Sequence, residues 1–331
     1  MGSEVAFVDL QPNPLLLAAG VALDLVFGDP IYPAHPVRLI GWTLTRFENA
    51  LRWIGWDGYG GGIVLFLLLN ALWVGGTVLL FERLNHTAAI VLHVFLVYSL
   101  LALRDLLSHG WAVERAAQRG DLPSAREAVA KLVGRDTAVM DLAACRRAAI
   151  ESFSESLTDG FVSPLFWYAL GGLPGLLVFK IVSTMDSMVG YKTPRYLQFG
   201  WCGARTDDLM NWIPARLTYV LIVAVSAVTA GCSARKAILI GWQQHAVVPG
   251  PNSGWSEAAT AGAIQRKLIG PIYASGKLVT EIWLGDPSDP PAGGDGDFRR
   301  AAILLTVTGL LAVMIAIAGL FPLYCKSLGC P

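Results

Sequence analysis

The sequence has few charged residues and no excess of either sign. Charged side chains make up 15% of its 331 residues and hydrophobic ones 54%, whereas about a quarter of the residues of a soluble domain are charged. The formal net charge of 0 argues against nucleic acid as a partner, because phosphate binding requires a basic excess. This composition predicts an integral membrane protein whose first partner is the lipid bilayer.

Several common motifs are also missing. No P-loop, GxGxxG, HExxH or GxSxG motif occurs, so a bound nucleotide would need a site of another kind. The five cysteines are scattered without a CxxC pair, which favours free thiols in a reducing compartment over a zinc site or a disulfide framework. Residues 1–14 contain no Lys or Arg, which argues against a secretory signal peptide.

Apolar runs approach the roughly 20 residues that a helix needs to span a bilayer. They lie at about 13–27, 62–81, 87–103, 160–182, 214–230 and 301–321, and they separate the polar segments 28–61, 104–158, 183–213 and 231–300. The pattern predicts an all-α, polytopic membrane protein, with amphipathic and re-entrant segments and helical cytoplasmic loops, that forms one membrane-embedded domain over residues 1–331.

The distribution of Lys and Arg predicts an orientation in the cell membrane. Segments 28–61, 104–158 and 231–300 carry most of these residues, so we expect them in the cytoplasm and the N-terminus outside. If both 160–182 and 214–230 cross, segment 183–213 lies on the opposite face; if neither crosses fully, all four segments are cytoplasmic. Pro and Gly residues interrupt 160–182, which favours a re-entrant pair of short helices and hence the second arrangement.

Segment 104–158 predicts amphipathic helices that are broken at 120–123 and at 134–137, where Asp136 or Thr137 would cap the next helix. Its end places Glu151, Glu155 and Asp159 four residues apart, and hence on one helix face. Like charges at this spacing repel, so they suggest a bound cation. A hard ion such as Mg²⁺, held by one or two carboxylates and by substrate phosphates, fits. The alternative is a solvated acidic stripe that Arg147 partly neutralises.

A short loop after the fourth apolar run carries Asp186, Tyr191 and Lys192. It offers a carboxylate for a metal beside a cation for an anion, although an ordinary interfacial loop would have the same composition.

A further polar stretch contains Asp207, Asp208 and Asn211, and the helical period places Asp207 and Asn211 on one face. Arg205 and Arg216 bracket them, and guanidinium groups suit bidentate recognition of phosphate or carboxylate. The alternative for Arg216 is an anchor that extends from a helix end to the membrane surface.

Segment 249–259 reads as a rigid turn followed by a helix. Ser253 or Ser256 would cap a helix that begins near Glu257, and its N-terminus would present N–H groups to an anion beside Asn252. The alternative is a capped turn without a ligand. In the first polar segment, His35 and Arg38 are further candidates, although a lone His next to Pro is more often structural.

These segments, in this order, resemble the CbiB/CobD family of cobalamin biosynthesis, the adenosylcobinamide-phosphate synthases. The stretches that carry the resemblance span nearly the whole chain: LDL at 23–25, GDP at 28–30, HPV at 35–37, GRDT at 134–137, ESFSESLTDGFVSPLF at 151–166, GGLPG at 171–175, MDSMVGYK at 185–192, Phe199-Gly200, ARTDDLMNWIPARLT at 204–218 and PNSGWSEAATAGA at 251–263.

The resemblance implies an ATP- and Mg²⁺-dependent ligase that joins a corrinoid carboxylate, adenosylcobyric acid, to 1-amino-2-propanol or its O-phosphate. It also leads us to expect association with other membrane enzymes of the late cobalamin pathway, and self-association into a homo-oligomer.

The resemblance also assigns roles. The expected metal ligands are Glu151, Glu155, Asp159 and Asp186. The expected catalytic residues are Glu151, Glu155, Asp186, Lys192, Asp207 and Asp208. The expected substrate- and phosphate-binding residues are His35, Arg38, Tyr191, Arg205, Asn211, Arg216, Asn252 and Glu257.

Two other functions fit the sequence less closely. A Mg²⁺-dependent intramembrane prenyltransferase also uses two acidic motifs, but these would lie on two spanning helices. A non-enzymatic membrane signalling protein like those of the AmpE family would tolerate replacement of the loop carboxylates.

Overall fold

The computed structural model describes residues 10–28, 32–274 and 276–327. The chain divides into two compact units. The first comprises residues 1–102, 163–210 and 313–331, and the second comprises residues 103–162 and 211–312. Whether they fold together as one domain stays a prediction. Asp29, Pro30 and Cys330 lie outside the described residues, and the four described cysteines are free, as predicted.

The described residues are mainly helical. In chain order the helices are α1 (Pro14–Phe27), α2 (Pro36–Trp53), α3 (Tyr59–Asn70), α4 (Gly76–Phe81), α5 (His86–Leu100), α6 (Leu103–Gln118), α7 (Leu122–Val129), α8 (Leu142–Ser156), α9 (Ser163–Val189), α10 (Trp201–Met210), α11 (Trp212–Ser226), α12 (Ala234–Gln244), α13 (Ser253–Ile264) and α14 (Asp297–Ser327). Two π-helical segments, Ala71–Gly75 and Leu157–Val162, and two strands, β1 (Leu268–Ala274) and β2 (Lys277–Leu284), complete the order.

Within the described residues, five helical stretches are long and apolar enough to cross a membrane. They are Tyr59–Phe81, His86–Gln118, Leu142–Val189, Trp201–Ser226 and Asp297–Lys326. The first predicted run forms the shorter apolar helix α1. These stretches contain four of the other five predicted runs and residues 214–226 of the fifth, 214–230. They confirm the prediction of an all-α polytopic membrane protein.

Helix α9 in the first unit reverses direction at Gly172. This residue has φ 61° and ψ −149°, and Pro174 follows two positions later. A β-carbon on Gly175 would overlap the carbonyl oxygen of Trp167, although eight residues of straight helix would separate the two positions by about 12 Å. The two halves of α9 therefore lie side by side. A re-entrant pair of short helices requires this geometry, and its depth in a bilayer stays a prediction.

The first unit packs its amphipathic helix α2 onto the second half of α9. Ile40 and Leu44 of α2 are fully buried in one cluster with Met185 and Phe199. The opposite face of α2 exposes Trp42, as expected for a helix with one apolar side.

The second unit is held together by a buried ion pair and a close helix contact. Arg146 of α8 donates to Glu114 of α6 at 2.9 Å and also pairs with Asp295 at 2.8 Å. Gly110 of α6 leaves room for the ring of Phe298. These contacts fix α8, which carries the predicted carboxylates, against α6 and the start of α14.

One expectation for the polar segments is wrong, and one element of them is unexpected. Helix α8 is capped by Asp141, whose side chain accepts from the N–H of Ala144, because Asp136 closes a local turn by accepting from Ala138 instead. Segment 231–300 is not wholly helical, since it contains the antiparallel hairpin of β1 and β2. The β-branched and aromatic residues of both strands favour this structure.

Candidate functional site

The second unit brings together carboxylates from two helices. Glu151 and Glu155 lie one turn apart on α8, and Glu257 lies in α13, whose residues 254–264 are all buried. Glu257 is only 4% exposed. Asp159 does not continue the α-helical face, because it lies in the π-helical segment Leu157–Val162, where the helical period changes. Such π-helical turns are frequent at functional sites.

These three glutamates line a cavity of about 270 Å³. Its other lining residues are apolar or carry hydroxyl groups: Val248, Pro249, Ser253, Ile269, Ile272, Thr280 and Ile282. The hairpin, absent from the prediction, thus forms one wall of the cavity. A small reactant in this space would meet carboxylates on one side and an apolar surface on the other.

The cation beside the carboxylates is Arg135, not Arg147. Arg135 donates to Glu151 at 2.6 Å, and both side chains are largely buried. Arg147 instead donates to the backbone carbonyl oxygens of Ile269 and Ala292 and lies over the ring of Trp283. Glu151 is therefore paired with Arg135 rather than with Arg147, while Glu155 on the same helix face is exposed to solvent.

Glu257 is strongly influenced by its neighbours. Burial raises the pKa of its carboxyl group well above the usual 4.5, and the negative charges of Glu155, Glu151 and Asp159 raise it further, while Arg135 opposes them. Neither a hydrogen bond nor an ion pair joins Glu257 to any described residue. A cation in the cavity would offset this repulsion.

The second unit contains several buried polar atoms without a hydrogen-bond partner among the described residues. Among the described residues, none forms a hydrogen bond with the buried Oγ1 atoms of Thr158 and Thr260, with Nε1 of Trp255 or with Nε of Arg135. Buried polar atoms are normally paired. Thr260 and Trp255 share helix α13 with Glu257, and Arg135 contacts Glu151. These atoms are suited to a bound polar reactant or to water.

Arg216 and Asn252 meet in the second unit, and the helix beside them begins earlier than expected. Helix α13 starts at Ser253, so Asn252 occupies the cap position and Glu257 lies inside the helix. The guanidinium group of Arg216 lies 4.2 Å from the ring centroid of Trp212 and 5.0 Å from that of Trp255. It also contacts the side-chain oxygen of Asn252 at 3.4 Å. A cation held between rings is pre-oriented for an anion.

The first unit holds a second group of predicted residues. Asp186, near the end of α9, interacts electrostatically with Asp208 of α10. Gly190 lies so close to the Asp186 carboxylate that a β-carbon would overlap it. Arg205 pairs with Asp208 at 3.4 Å on the surface, so one predicted phosphate ligand is already near a carboxylate. Asp207 is adjacent on α10 and half-buried.

The remaining predicted residues are more dispersed. Lys192 and Tyr191 are exposed just after α9, and Arg38 is exposed on α2. His35 is buried at the start of α2, with its ring 5.1 Å from that of Tyr32. Asn211 is buried in the second unit. Asn211 lies between the end of α10 at Met210 and the start of α11 at Trp212, so a helix face shared by Asp207 and Asn211 stays a prediction.

Metal binding stays a prediction. Among the described residues, no group of three or more His, Cys, Asp or Glu side chains is placed to hold an ion. Glu151 is already paired with Arg135, which leaves Glu155 and Asp159 as the better-placed ligands in this unit. Mg²⁺ commonly takes one or two carboxylates together with substrate phosphates and water, and these residues fit that mode.

Arg135 was missed as a site residue, although the GRDT motif at 134–137 contains it. The contribution of Thr280 and the isoleucines of the hairpin had no sequence signal beyond the strand pattern itself.

Comparison with known proteins gives a consistent result. The family model described as CobD/Cbib protein matches residues 17–305. The cobalamin biosynthesis protein CobD of Pelobacter propionicus is 40% identical over 313 residues, which cover 92% of this chain and 94% of that protein. Its namesake in Geobacter metallireducens is 41% identical, with 83% and 87% covered.

The corresponding protein of Rhodobacter capsulatus is 37% identical, with 92% and 98% covered. No solved structure gives a significant match. The family model covers most of the chain, and the relatives match over nearly their whole length. These matches give no support to the prenyltransferase and AmpE-like alternatives. The chain belongs to the CobD/CbiB family.

Proposed function

We propose that this protein acts in cobalamin biosynthesis as an ATP-dependent amide ligase. It would join the carboxylate of adenosylcobyric acid to 1-amino-2-propanol or its O-phosphate, giving adenosylcobinamide or its phosphate. The observation that carries the proposal is that Glu151, Glu155 and Glu257 line one small cavity, where Arg135 pairs with Glu151. The printed names of the relatives support the pathway.

Formation of the amide requires that a carboxylate oxygen, which is a poor leaving group, be converted into a better one. A carboxylate does not react with an amine until one of its oxygens carries a phosphoryl group, which ATP would supply. Phosphoryl transfer depends chiefly on positioning and on charge stabilisation. The amine nitrogen would then form a bond to the acyl carbon, the bond to the phosphate oxygen would break, and a proton would leave the nitrogen.

The residues divide naturally between these tasks. When bound, Mg²⁺ would neutralise the nucleotide phosphates. In the second unit its proposed ligands are Glu155 and Asp159, with Glu151 as a further candidate. In the first unit Asp186 is proposed as a separate metal ligand. Arg216, held between two rings beside Asn252, would orient an anionic group of a substrate. In the first unit, four exposed residues are proposed to contact phosphate or substrate: Arg38, Tyr191, Lys192 and Arg205. Three further residues of that unit would orient the substrate: His35, Asp207 and Asp208. In the second unit, Asn211 would have the same role.

Localisation follows from the same proposal. The five candidate spans place the protein in a membrane, and we propose the cell membrane with the polar segments in the cytoplasm, where ATP is available. Association with other late enzymes of the pathway, and with further copies of the chain, remains part of the proposal.

A direct assay tests it. Purified protein in detergent would receive adenosylcobyric acid, ATP, Mg²⁺ and aminopropanol O-phosphate, with ethanolamine phosphate in a parallel reaction. We expect a corrinoid amide in the products by mass spectrometry. No amide with either amine would overturn the proposed function.

A further inference from the structure

We propose that the cavity of the second unit binds the ammonium group of the amine reactant, with Glu257 as its ion-pairing partner. The inference rests on the proposed function, and it names the part of the site that receives one particular reactant.

The charge balance of the cavity points to a cation. Glu151 has its partner in Arg135. Glu257 is 4% exposed and has no hydrogen bond or ion pair with any described residue, yet it lines the cavity. A buried carboxylate is costly unless an opposite charge accompanies it. A positively charged ligand bound in the cavity would supply that opposite charge.

The size of the cavity points to a small molecule. Its volume of about 270 Å³ lies below the range of about 300–1,000 Å³ that accommodates drug-sized ligands. A corrinoid or a nucleotide would therefore not enter it whole. A short amino alcohol with a single ammonium group would fit.

The wall chemistry favours an organic cation over a bare metal ion. Ile269, Ile272 and Ile282 provide an apolar wall, against which the carbon chain of an amino alcohol would pack. Ser253 and Thr280 add hydroxyl groups that are suited to its oxygen. Mg²⁺ instead keeps several waters and prefers oxygen ligands, which the three isoleucines of this wall do not supply.

The test measures binding without turnover. Radiolabelled 1-amino-2-propanol is bound to the purified protein in the absence of ATP and corrinoid, and unlabelled 1,2-propanediol, which lacks the amine, serves as competitor. We expect the diol to compete at least about tenfold more weakly than the unlabelled amine, since a hydrogen-bonded ion pair is lost.

Variants locate the site. Glu257→Gln should weaken binding of the amine by about tenfold or more, while Glu127→Gln, at an exposed position on α7 of the same unit, should leave it unchanged. Size-exclusion chromatography shows whether Glu257→Gln folds. If it does not, Glu155→Gln is a second variant at the cavity, because Glu155 is more exposed than Glu257. Glu155→Gln should also weaken binding of the amine.

Equal competition by the diol and by the unlabelled amine would overturn the inference. Unchanged amine binding in the folded cavity variants would do the same. So would displacement of one amine by one Mg²⁺ ion, because that result would identify a metal site. The proposed function fails separately. If the protein makes amide but Glu257→Gln binds the amine normally, only the inference is wrong; if the wild type binds the amine but never forms amide, only the proposed function is.

Discussion

Arg135 donates a 2.6 Å hydrogen bond to Glu151, and this pair joins the loop before α8 to the acidic face of that helix. The guanidinium side chain is 10% exposed and the carboxylate 16%, so each charge depends on the other for compensation. The same arginine also moderates the repulsion at Glu257. Loss of Arg135 would therefore disturb the whole carboxylate group.

Arg135→Gln should lower the free energy of unfolding by about 3 kcal/mol, the low end for removing one partner of a buried pair. The double variant Arg135→Gln with Glu151→Gln should recover part of this loss, because no uncompensated charge remains. Denaturant titration in detergent measures both. Arg119→Gln, at an exposed position, is the control and should change the free energy by about 0.5 kcal/mol or less. Equal effects of Arg135→Gln and Arg119→Gln would show that the pair contributes nothing.

Glu257 should make stability depend on pH. Its pKa is raised in the folded protein, chiefly by burial and then by the charges of Glu155, Glu151 and Asp159, so the folded state binds this proton more tightly than the unfolded state. The stabilising contribution of the protonated group is therefore complete below its ordinary pKa of 4.5 and is lost as the pH rises through the higher folded-state pKa.

Thermal unfolding of the wild type and of Glu257→Gln, measured from acidic to neutral pH, checks this sign. The wild type should lose stability relative to the variant as the pH rises above 4.5, because glutamine cannot ionise. Parallel curves for the two proteins would contradict the shift.

The chain reversal in α9 depends on Gly172. An alanine there would need φ 61° with ψ −149°, a region that costs a residue with a side chain about 1–3 kcal/mol, and its β-carbon would overlap the carbonyl oxygen of Leu10. Gly172→Ala should therefore destabilise the protein by more than this backbone cost alone.

Gly171→Ala is the matched control, because a β-carbon on Gly171 meets nothing within 4 Å. Thermal unfolding of both variants in the same detergent is the measurement. Similar melting temperatures for the two variants would mean that Gly172 does not adopt this backbone conformation in the detergent-solubilised protein.

The orientation can be tested at Lys192, which is exposed just after α9. If the segment 183–213 is cytoplasmic, a Lys192→Cys variant in a cysteine-free background should react with a membrane-impermeant maleimide only after the cells are permeabilised. Labelling of intact cells would place this segment outside and would show that 160–182 crosses fully.

The sequence predicted the membrane class and most helices because long apolar runs and helical periodicity are local properties. It also named Glu151, Glu155 and Glu257 as candidate site residues, and the structure places all three around one cavity. It did not predict the hairpin that forms a wall of the cavity, since strand pairing joins residues through backbone hydrogen bonds that no single run of residues reveals. The cap at Asp141 was missed because Asp136, five residues earlier, has the same chemistry and is used in a turn.

The partner of the carboxylates was missed for a different reason. Helical spacing placed Arg147 one turn from Glu151, but the carbonyl oxygens of Ile269 and Ala292 bind that guanidinium group instead. Arg135 comes from a loop, and only the tertiary fold brings it to Glu151. Local spacing thus identifies which charges a site contains better than which of them pair.

The central claim is that the carboxylates around the cavity of the second unit support an ATP-dependent amide ligation. The most direct measurement follows corrinoid amide and inorganic phosphate together in reactions of purified wild type, Glu155→Gln and Glu127→Gln with adenosylcobyric acid, ATP, Mg²⁺ and aminopropanol O-phosphate. The account predicts one phosphate released for each amide formed by the wild type and by Glu127→Gln, and no amide from folded Glu155→Gln. Full activity of Glu155→Gln, or phosphate release without amide in the wild type, would contradict it.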